Sequence, residues 1–235
     1  MLIVSNLTKK YGSTLANENL NFSLDSGEMG VLLGPNGAGK STAIKCIMGL
    51  LRFSGNIEIN GLNNKSEAAK RIMGYVPEIP ALYELLTVEE HAEFIIRAYR
   101  LNKSAEAYAD ELMVRLELDD KRKKLGKELS KGMQQKVSIM CALLPRPRML
   151  LLDEPLVGLD PHAIKELKLI LTGLRDKGTA IFVSTHMIDS VEGLWDKAFI
   201  MVNGHIVATR DRKTENAGEH GSLEDLFFSI TEGRE

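Results

Sequence analysis

The sequence predicts an α/β fold with a mostly parallel central sheet, an N-terminal antiparallel β region and an inserted helical lobe. A short apolar run at residues 29–33, typical of a buried parallel strand, leads through a glycine-rich loop into residues with helical spacing. Apolar runs at 149–152 and 180–183 have the same buried-strand character. From about 84 to 145 the pattern is helical, with no convincing strand. The helical lobe therefore interrupts an α/β core.

The glycine-rich loop fits the pattern G-x-x-x-x-G-K-[ST] of a phosphate-binding loop. Glycine lets the backbone turn its N–H groups towards an anion, and the positive end of the following helix adds to the attraction. Lys40 is expected to reach the β- and γ-phosphates, and the Ser41 hydroxyl to be a Mg²⁺ ligand. The predicted nucleoside triphosphate site consists of Gly34, Pro35, Asn36, Gly37, Ala38, Gly39, Lys40, Ser41 and Thr42.

Composition points to an ordinary globular protein that works in a reducing compartment. The chain has 235 residues, of which 44% are hydrophobic and 26% charged. A formal net charge of −2 gives no global attraction for nucleic acid, so no nucleic-acid partner is expected. Cys46 and Cys141 lie in apolar helical contexts and are expected to be core residues. No stretch approaches the length of a membrane span.

The first part of the chain predicts strands at residues 1–4 and 20–24, separated by a polar segment at 8–19. Tyr11 lies in that segment, and two interpretations of it stay open. Its ring could stack on a nucleobase, or it could be a half-exposed tyrosine in a turn.

After the phosphate loop, residues 56–59 alternate like a strand, and Asn60-Gly61 is typical of a type I′ hairpin turn. A strand at 72–76 ends at Pro77, where the sequence Pro77-Glu78-Ile79-Pro80 predicts a rigid connector. Thr87 opens a capping box, which predicts a helix start. The pattern around Tyr108, Leu112, Val114 and Leu116 predicts a second helix.

The last third of the sequence is predicted to form further helices and strands of the α/β core. Residues 164–174 have helical periodicity, 179–184 form a buried strand, and 199–207 form a hairpin that turns at Asn203-Gly204. Residues 211–220 are polar and expected to be mobile. A short terminal helix at 223–230 is expected to pack Leu226 and Phe227 on the core.

Polar residues at two strand ends predict the rest of an active site. Ligands collect at the carboxyl edge of a parallel sheet, and Asp153-Glu154 follows the apolar run 149–152. Asp153 would hold Mg²⁺, and Glu154 could take a proton from the attacking water. His186 closes another predicted strand, from which its imidazole could contact the γ-phosphate.

With these residues in place, the chain resembles the nucleotide-binding subunit of an ATP-binding-cassette (ABC) transporter over essentially its full length. Leu129-Ser130-Lys131-Gly132-Met133-Gln134-Gln135 resembles the family signature LSGGQ. Gly158-Leu159-Asp160 resembles the D-loop, His186 the switch histidine and Tyr11 the adenine-stacking aromatic. Glu78 stands at the position of the Q-loop glutamine, where it could be a further Mg²⁺ ligand.

The resemblance implies a P-loop NTPase (RecA-like) core and an ATPase that works in pairs. Two copies would enclose two ATP molecules, with Ser130, Lys131, Gly132 and Asp160 of one copy facing the nucleotide of the other. It implies ATP and Mg²⁺ as ligands and polytopic permease subunits as partners, which would place the chain on the cytoplasmic face of a membrane. The implied divisions are a core at 1–83 and 146–210, the helical lobe at 84–145 and a short tail at 211–235.

Three departures from the family pattern refine these expectations. Glu78 adds negative charge where the family has glutamine, or it is a rim residue that does not reach the metal. Lys131 and Met133 replace a glycine and a glutamine of the signature, a form that resembles bacterial export-type (ABC-2-like) ATPases. The short tail leaves no room for the extra domain of some importer ATPases, which also favours export.

Two other classes compete with the transporter interpretation. A soluble ABC ATPase, acting on nucleic acid or ribosomes, is the alternative, but long insertions and basic arms typical of that class are absent from the sequence. A P-loop GTPase or small-molecule kinase is excluded because no N-K-x-D guanine motif occurs and the signature would be unexplained.

Overall fold

The computed structural model describes residues 1–214 and 222–231, which form two sheets with helices packed around them. The strands are β1 (Leu2–Tyr11), β2 (Thr14–Leu24), β3 (Met29–Leu33), β4 (Ser54–Ile59), β5 (Leu62–Asn63), β6 (Met73–Val76), β7 (Met149–Asp153), β8 (Ala180–Thr185), β9 (Lys197–Val202) and β10 (His205–Asp211). The helices are α1 (Lys40–Ile47), α2 (Glu67–Arg71), α3 (Val88–Ala98), α4 (Ser104–Arg115), α5 (Lys131–Leu143), α6 (Pro161–Asp176) and α7 (Leu223–Thr231).

The larger sheet is the predicted parallel core. Its strand order is β10-β9-β3-β8-β7-β6, and β10 alone runs antiparallel to its neighbour. Every residue of β3 and β7 is buried, as expected for strands covered on both faces. The carboxyl ends of β3, β7 and β8 therefore meet at one edge of the sheet. The turn at Asn203-Gly204, with positive φ at both residues, confirms the predicted hairpin between β9 and β10.

The smaller sheet is antiparallel, with the order β2-β1-β4-β5. The expectation of a polar separator at residues 8–19 is wrong, because β1 and β2 continue through it and turn at Gly12-Ser13. An antiparallel hairpin can leave one face in water, so polar residues there do not interrupt the strands. Asn60 and Gly61 both have positive φ, as a type I′ turn requires.

Residues 84–145 contain α3, α4 and α5 and contribute no strand to either sheet; an isolated bridge joins Thr87 to Leu125. The capping box of α3 is present. Thr87 Oγ1 accepts from the backbone N–H of Glu90, and the Glu90 carboxylate accepts from the backbone N–H of Thr87. These three helices and α6 cover the same face of the central sheet and share one apolar core with it. Val114 points outwards on α4 and is 61% exposed, unlike Leu112.

The C-terminal helix α7 packs Phe227, which is buried, and Leu226 on a cluster that includes Val31 and Trp195, as predicted. The segment 211–220, which was predicted to be mobile, starts with the last residue of β10 and a turn at 212–214. Its residues 215–220 lie outside the described residues. In the described chain, no helix has both the length and the apolar character needed to cross a bilayer.

Candidate active site

The phosphate-binding loop joins β3 to α1, as the motif requires, and two of its glycines lie where no side chain fits. A Cβ at Gly34 would lie 2.3 Å from the carbonyl oxygen of Met201, and one at Gly39 would lie 2.4 Å from that of Ala16. Gly39 also has φ 105°, which glycine adopts at little cost. Neighbouring backbone therefore holds the loop in shape from two sides.

Lys40 is buried and folds back over the loop. Its ammonium donates to the carbonyl oxygens of Gly34 (2.7 Å) and Pro35 (3.2 Å), and it lies 3.4 Å from Glu154 Oε1. The charge stays inside the cleft, at the start of α1, where an incoming phosphate would meet it.

Asp153 closes β7, and its two carboxylate oxygens have different surroundings. Oδ1 accepts from the hydroxyls of Ser41 (2.9 Å) and Ser184 (2.6 Å). Oδ2 is buried and accepts no hydrogen bond from any described residue. Burial raises the pKa of Asp153, while the bonds from Ser184 and Ser41 oppose that shift. A buried carboxylate oxygen without a partner, beside a serine hydroxyl, fits a hard cation such as Mg²⁺.

Glu154 and His186 come together from the ends of β7 and β8. Glu154 Oε1 lies 3.0 Å from His186 Nδ1, and Oε2 accepts from the His186 backbone N–H at 3.3 Å. The N–H of Glu154 donates to the carbonyl oxygen of Ser184 at 3.1 Å. Glu154 has φ 47°, in the left-handed region that non-glycine residues rarely adopt. The Glu154 carboxylate thus lies between the His186 imidazole and the Lys40 ammonium.

A cleft of about 320 Å³ runs over the loop, and its walls are Ala16, Asn36, Gly37, Ala38, Gly39, Lys40, Ser41, Thr42, Glu78 and Glu154. Glu78 is thus at the cleft, where its charge adds to burial in raising the pKa of Asp153. Tyr11 is not among these lining residues; it is 48% exposed, and the Lys9 ammonium lies 4.5 Å from its ring centre. Its stacking on a base stays a prediction.

The signature and D-loop residues form a second group. Ser130 caps α5, its hydroxyl accepting from the N–H of Met133 at 3.3 Å, and both Ser130 and Lys131 are exposed. Asp160 caps α6 through the N–H of Ala163 at 2.9 Å. That bond and one from Lys136 hold the pKa of Asp160 at about 2. In the part of the chain that the structure describes, neither this group nor Gly132 lines the cleft.

Sequence reasoning missed three residues of these groups. Asn17 is buried and donates to the Gly39 carbonyl oxygen at 3.1 Å, and Ser184 binds Asp153. Lys136 pairs with Asp160 at 2.9 Å. Ser184 stands two residues before His186 at the end of a predicted strand, which was the available signal. Asn17 and Lys136 contact distant parts of the chain and left no local pattern.

Comparison with known proteins gives one family. The profile of the ABC transporter family matches residues 17–157. The ABC-type transporter ATP-binding protein EcsA of Bacillus subtilis is 36% identical over 98% of this chain and 96% of its own length. The bacitracin transport ATP-binding protein BcrA of Bacillus licheniformis is 38% identical over 86% of this chain and 67% of its own.

Solved structures agree. The ATP-binding subunit of an ABC transporter superposes with a TM-score of 0.90 at 37% identity, covering 98% of this chain and 99% of the other. A dimeric ATP-binding cassette in a post-hydrolysis state with ADP and Pi superposes with a TM-score of 0.79 at 26% identity, covering 90% and 98%. The fold is thus shared with these cassettes, and it carries a phosphate loop, two carboxylates at a strand end and a signature helix. The chain belongs to the ABC transporter family and is an ATP-binding, ATP-hydrolysing subunit of a membrane transporter.

Proposed function

We propose that ATP binds in the cleft over residues 34–42 and is hydrolysed there with Glu154 as general base. The observation that supports this most directly is that Lys40 and Glu154 line one cleft, with Asp153 hydrogen-bonded to Ser41, another residue that lines it. Backbone N–H groups and Lys40 would bind the phosphates, and His186 would orient Glu154 and contact the γ-phosphate. Tyr11 would stack on the base.

The same proposal assigns Mg²⁺ to Ser41 and Asp153, with Glu78 at the rim of the site. The support is the buried Asp153 Oδ2 without a partner among the described residues and the nearby Ser41 hydroxyl. Bound Mg²⁺ would neutralise charge on the phosphate oxygens. Ser184 and burial keep the Asp153 carboxylate in place.

A second copy of the chain would complete each site. Ser130, Lys131, Gly132 and Asp160 lie outside the cleft of their own subunit, and Ser130 and Lys131 are exposed at the N-terminus of α5, where backbone N–H groups favour an anion. The dimeric structure of a related cassette supports a pair of subunits, for which we propose a head-to-tail arrangement. We favour two identical subunits.

The membrane partner would dock in an apolar groove beside Glu78. The groove has a volume of about 680 Å³ and lies between the core and α3, with Ile79, Tyr83 and Phe94 exposed at it. Exposed apolar surface of this kind marks interaction sites. The subunit would then sit on the cytoplasmic face of the membrane, in contact with a polytopic permease. No nucleic-acid partner is proposed.

The division of the chain follows these roles. Residues 1–83 and 146–210 would be the ATPase core, 84–145 the lobe that presents the signature to the partner subunit, and 211–235 a short tail. The LSKGM form of the signature supports an exporter.

Co-purification from a mild-detergent extract, with partners identified by mass spectrometry, tests the permease and the groove together. The tagged protein is expected to retain a polytopic membrane protein in stoichiometric amount. Ile79→Asp should abolish that retention, whereas Val114→Asp, at another exposed apolar position, should not. Exclusively soluble partners would contradict the permease, and retention by Ile79→Asp would contradict the groove.

A further inference from the structure

One face of the signature helix α5 is fastened to the loop that follows β7. A Cβ at Gly132 would lie 2.5 Å from the carbonyl oxygen of Gly158, so the two backbones are in close contact. Gln135 Nε2 donates to the Pro155 carbonyl oxygen at 3.4 Å, and Lys136 lies 2.9 Å from Asp160 Oδ2. Positions 132, 135 and 136 share a helix face because they are three and four residues apart.

Lys136 is the charged part of this attachment. It is only 5% exposed, and its ammonium also lies 2.9 Å from Glu117 Oε2, beyond the end of α4. Burial by itself would lower the pKa of Lys136, but hydrogen bonds to Glu117 and Asp160 raise it overall. The side chain is therefore a cation shared by two carboxylates from different segments.

Both carboxylate oxygens of Asp160 have a partner. Oδ1 accepts from the Ala163 N–H and caps α6, while Oδ2 pairs with Lys136. Glu117, Asp160 and His162 bring possible metal-ligand atoms within 4.8 Å of one another, but the Lys136 ammonium already provides the positive charge there. The cluster is thus a connection between α5, α6 and the end of α4.

We propose that Lys136 is a positioning residue that holds the N-terminus of α5 and the 155–160 loop together, so that Ser130 and Asp160 reach the partner subunit's nucleotide as one unit. This rests on the proposed head-to-tail dimer. Lys136 does not line the ATP cleft of its own subunit within the described chain. Its loss should therefore leave ATP binding by a single subunit intact and weaken the step in which two subunits close on ATP.

The test measures ATP-driven dimerisation by sedimentation, and ATP affinity by calorimetry, in a Glu154→Gln background. Lys136→Met keeps the apolar length of the side chain and removes the charge. It should raise the dimer dissociation constant about tenfold while ATP affinity changes less than about twofold. Lys136→Arg should restore dimerisation. Lys197→Met is the matched control, because Lys197 is also largely buried and pairs with Glu28 at 3.0 Å away from this loop.

Each outcome decides the proposal. If the parent dimerises and Lys136→Met dimerises equally well, the positioning role is wrong and the two-subunit function stands. If Lys136→Arg is as weak as Lys136→Met, shape and not charge matters, which also overturns it. A parent that stays monomeric with ATP would refute the two-subunit function itself and the positioning role with it. Should Lys136→Met fail to fold, Lys136→Gln removes the same charge from the contact with Asp160 while keeping a hydrogen-bond donor, with the same decisive readouts.

Discussion

At the scale of single residues, Glu154 is held in a strained backbone conformation between the Lys40 ammonium and the His186 imidazole. Left-handed φ at a non-glycine residue costs free energy and persists where the surroundings impose it, often at functional sites. Here the Ser184 carbonyl and hydroxyl oxygens accept from the Glu154 N–H, and the His186 N–H donates to the carboxylate. The neighbouring strand end therefore aims the carboxylate into the cleft.

Glu154→Gln should remove proton acceptance and keep the shape of the side chain. ATP hydrolysis is expected to fall by about 10²–10⁴-fold, with ATP still bound and the dimer trapped. Phosphate release and calorimetric ATP binding measure the two effects. Glu106→Gln, at an exposed position on α4, is the control. A Glu154→Gln enzyme that hydrolyses ATP at the parental rate would exclude Glu154 as the base.

At the scale of elements, the C-terminal end of α1 is capped by a side chain that is distant in the sequence. Asn64 is fully buried, and its Nδ2 donates to the carbonyl oxygens of Cys46 and Ile47, both at 2.9 Å. The last carbonyl groups of a helix otherwise lack partners. The loop before α2 thus fixes the far end of α1.

Asn64→Asp would replace these two donors by a negative charge facing the negative end of α1. The free energy of unfolding should fall by about 2–4 kcal/mol. Urea unfolding measures it. Asn63→Asp is the matched control, because Asn63 is exposed and its Oδ1 only accepts from the Lys65 N–H, which aspartate can also do. Equal stability of the two variants would show that the cap contributes nothing.

A second element-scale prediction concerns Glu28, just before β3. Burial alone would raise its pKa, but bonds from Lys213, the Asp25 N–H and Lys197 lower the pKa from 4.5 to about 2. A lowered folded-state pKa contributes stability that is present above about pH 4.5 and is lost as pH falls towards 2. Glu28→Gln should therefore cost about 2 kcal/mol at pH 7, after allowance for solvent screening, and less below pH 4. Urea midpoints from pH 7 to pH 3 test this, with Glu67→Gln as an exposed control; an unchanged pH dependence would refute it.

Prediction from sequence succeeded where a local pattern marks the element, and it failed where strands are polar or where contacts join residues distant in the sequence. The apolar strand at residues 149–152, the phosphate loop and the Thr87 capping box are each encoded within a few neighbouring residues. The hairpin across 8–19 was missed because polar residues on an open antiparallel face do not resemble a buried strand. Asn64 donates to a backbone carbonyl 17 residues away, and Lys136 pairs with a carboxylate 24 residues away. Local periodicity in the sequence does not indicate such contacts.

At the scale of the whole molecule, the residues of the proposed site lie in two separate places on the chain. The P-loop, Asp153, Glu154 and His186 meet at one edge of the central sheet, while Ser130 lies exposed at the start of α5. In the proposed function, one subunit would bind nucleotide with the first of these groups. A second subunit would be needed to bring its own Ser130 against that nucleotide.

Ser130→Ala should therefore impair hydrolysis while ATP affinity of the single subunit stays unchanged. The mutation also removes an N-cap, which costs about 1 kcal/mol of stability. Ser66→Ala is the matched control, since Ser66 caps α2 through the Ala69 N–H at 3.2 Å and should cost stability alone. Turnover at different protein concentrations, with calorimetric ATP binding, separates these effects. An active Ser130→Ala enzyme would contradict the shared site.

The contacts of Lys40 make phosphate binding an exchange of ligands. The ammonium already has three oxygen neighbours within the chain, two carbonyls and Glu154. In the proposed function, an arriving phosphate would compete with them, so the affinity gained would be a difference between two sets of bonds and not the full attraction of a free cation. If the ammonium turned to the phosphate, it would give up its 3.4 Å contact with Glu154 Oε1. In the proposed function, one side chain would thus link nucleotide occupancy to the contacts of the general base, because phosphate binding would free the Glu154 carboxylate from Lys40.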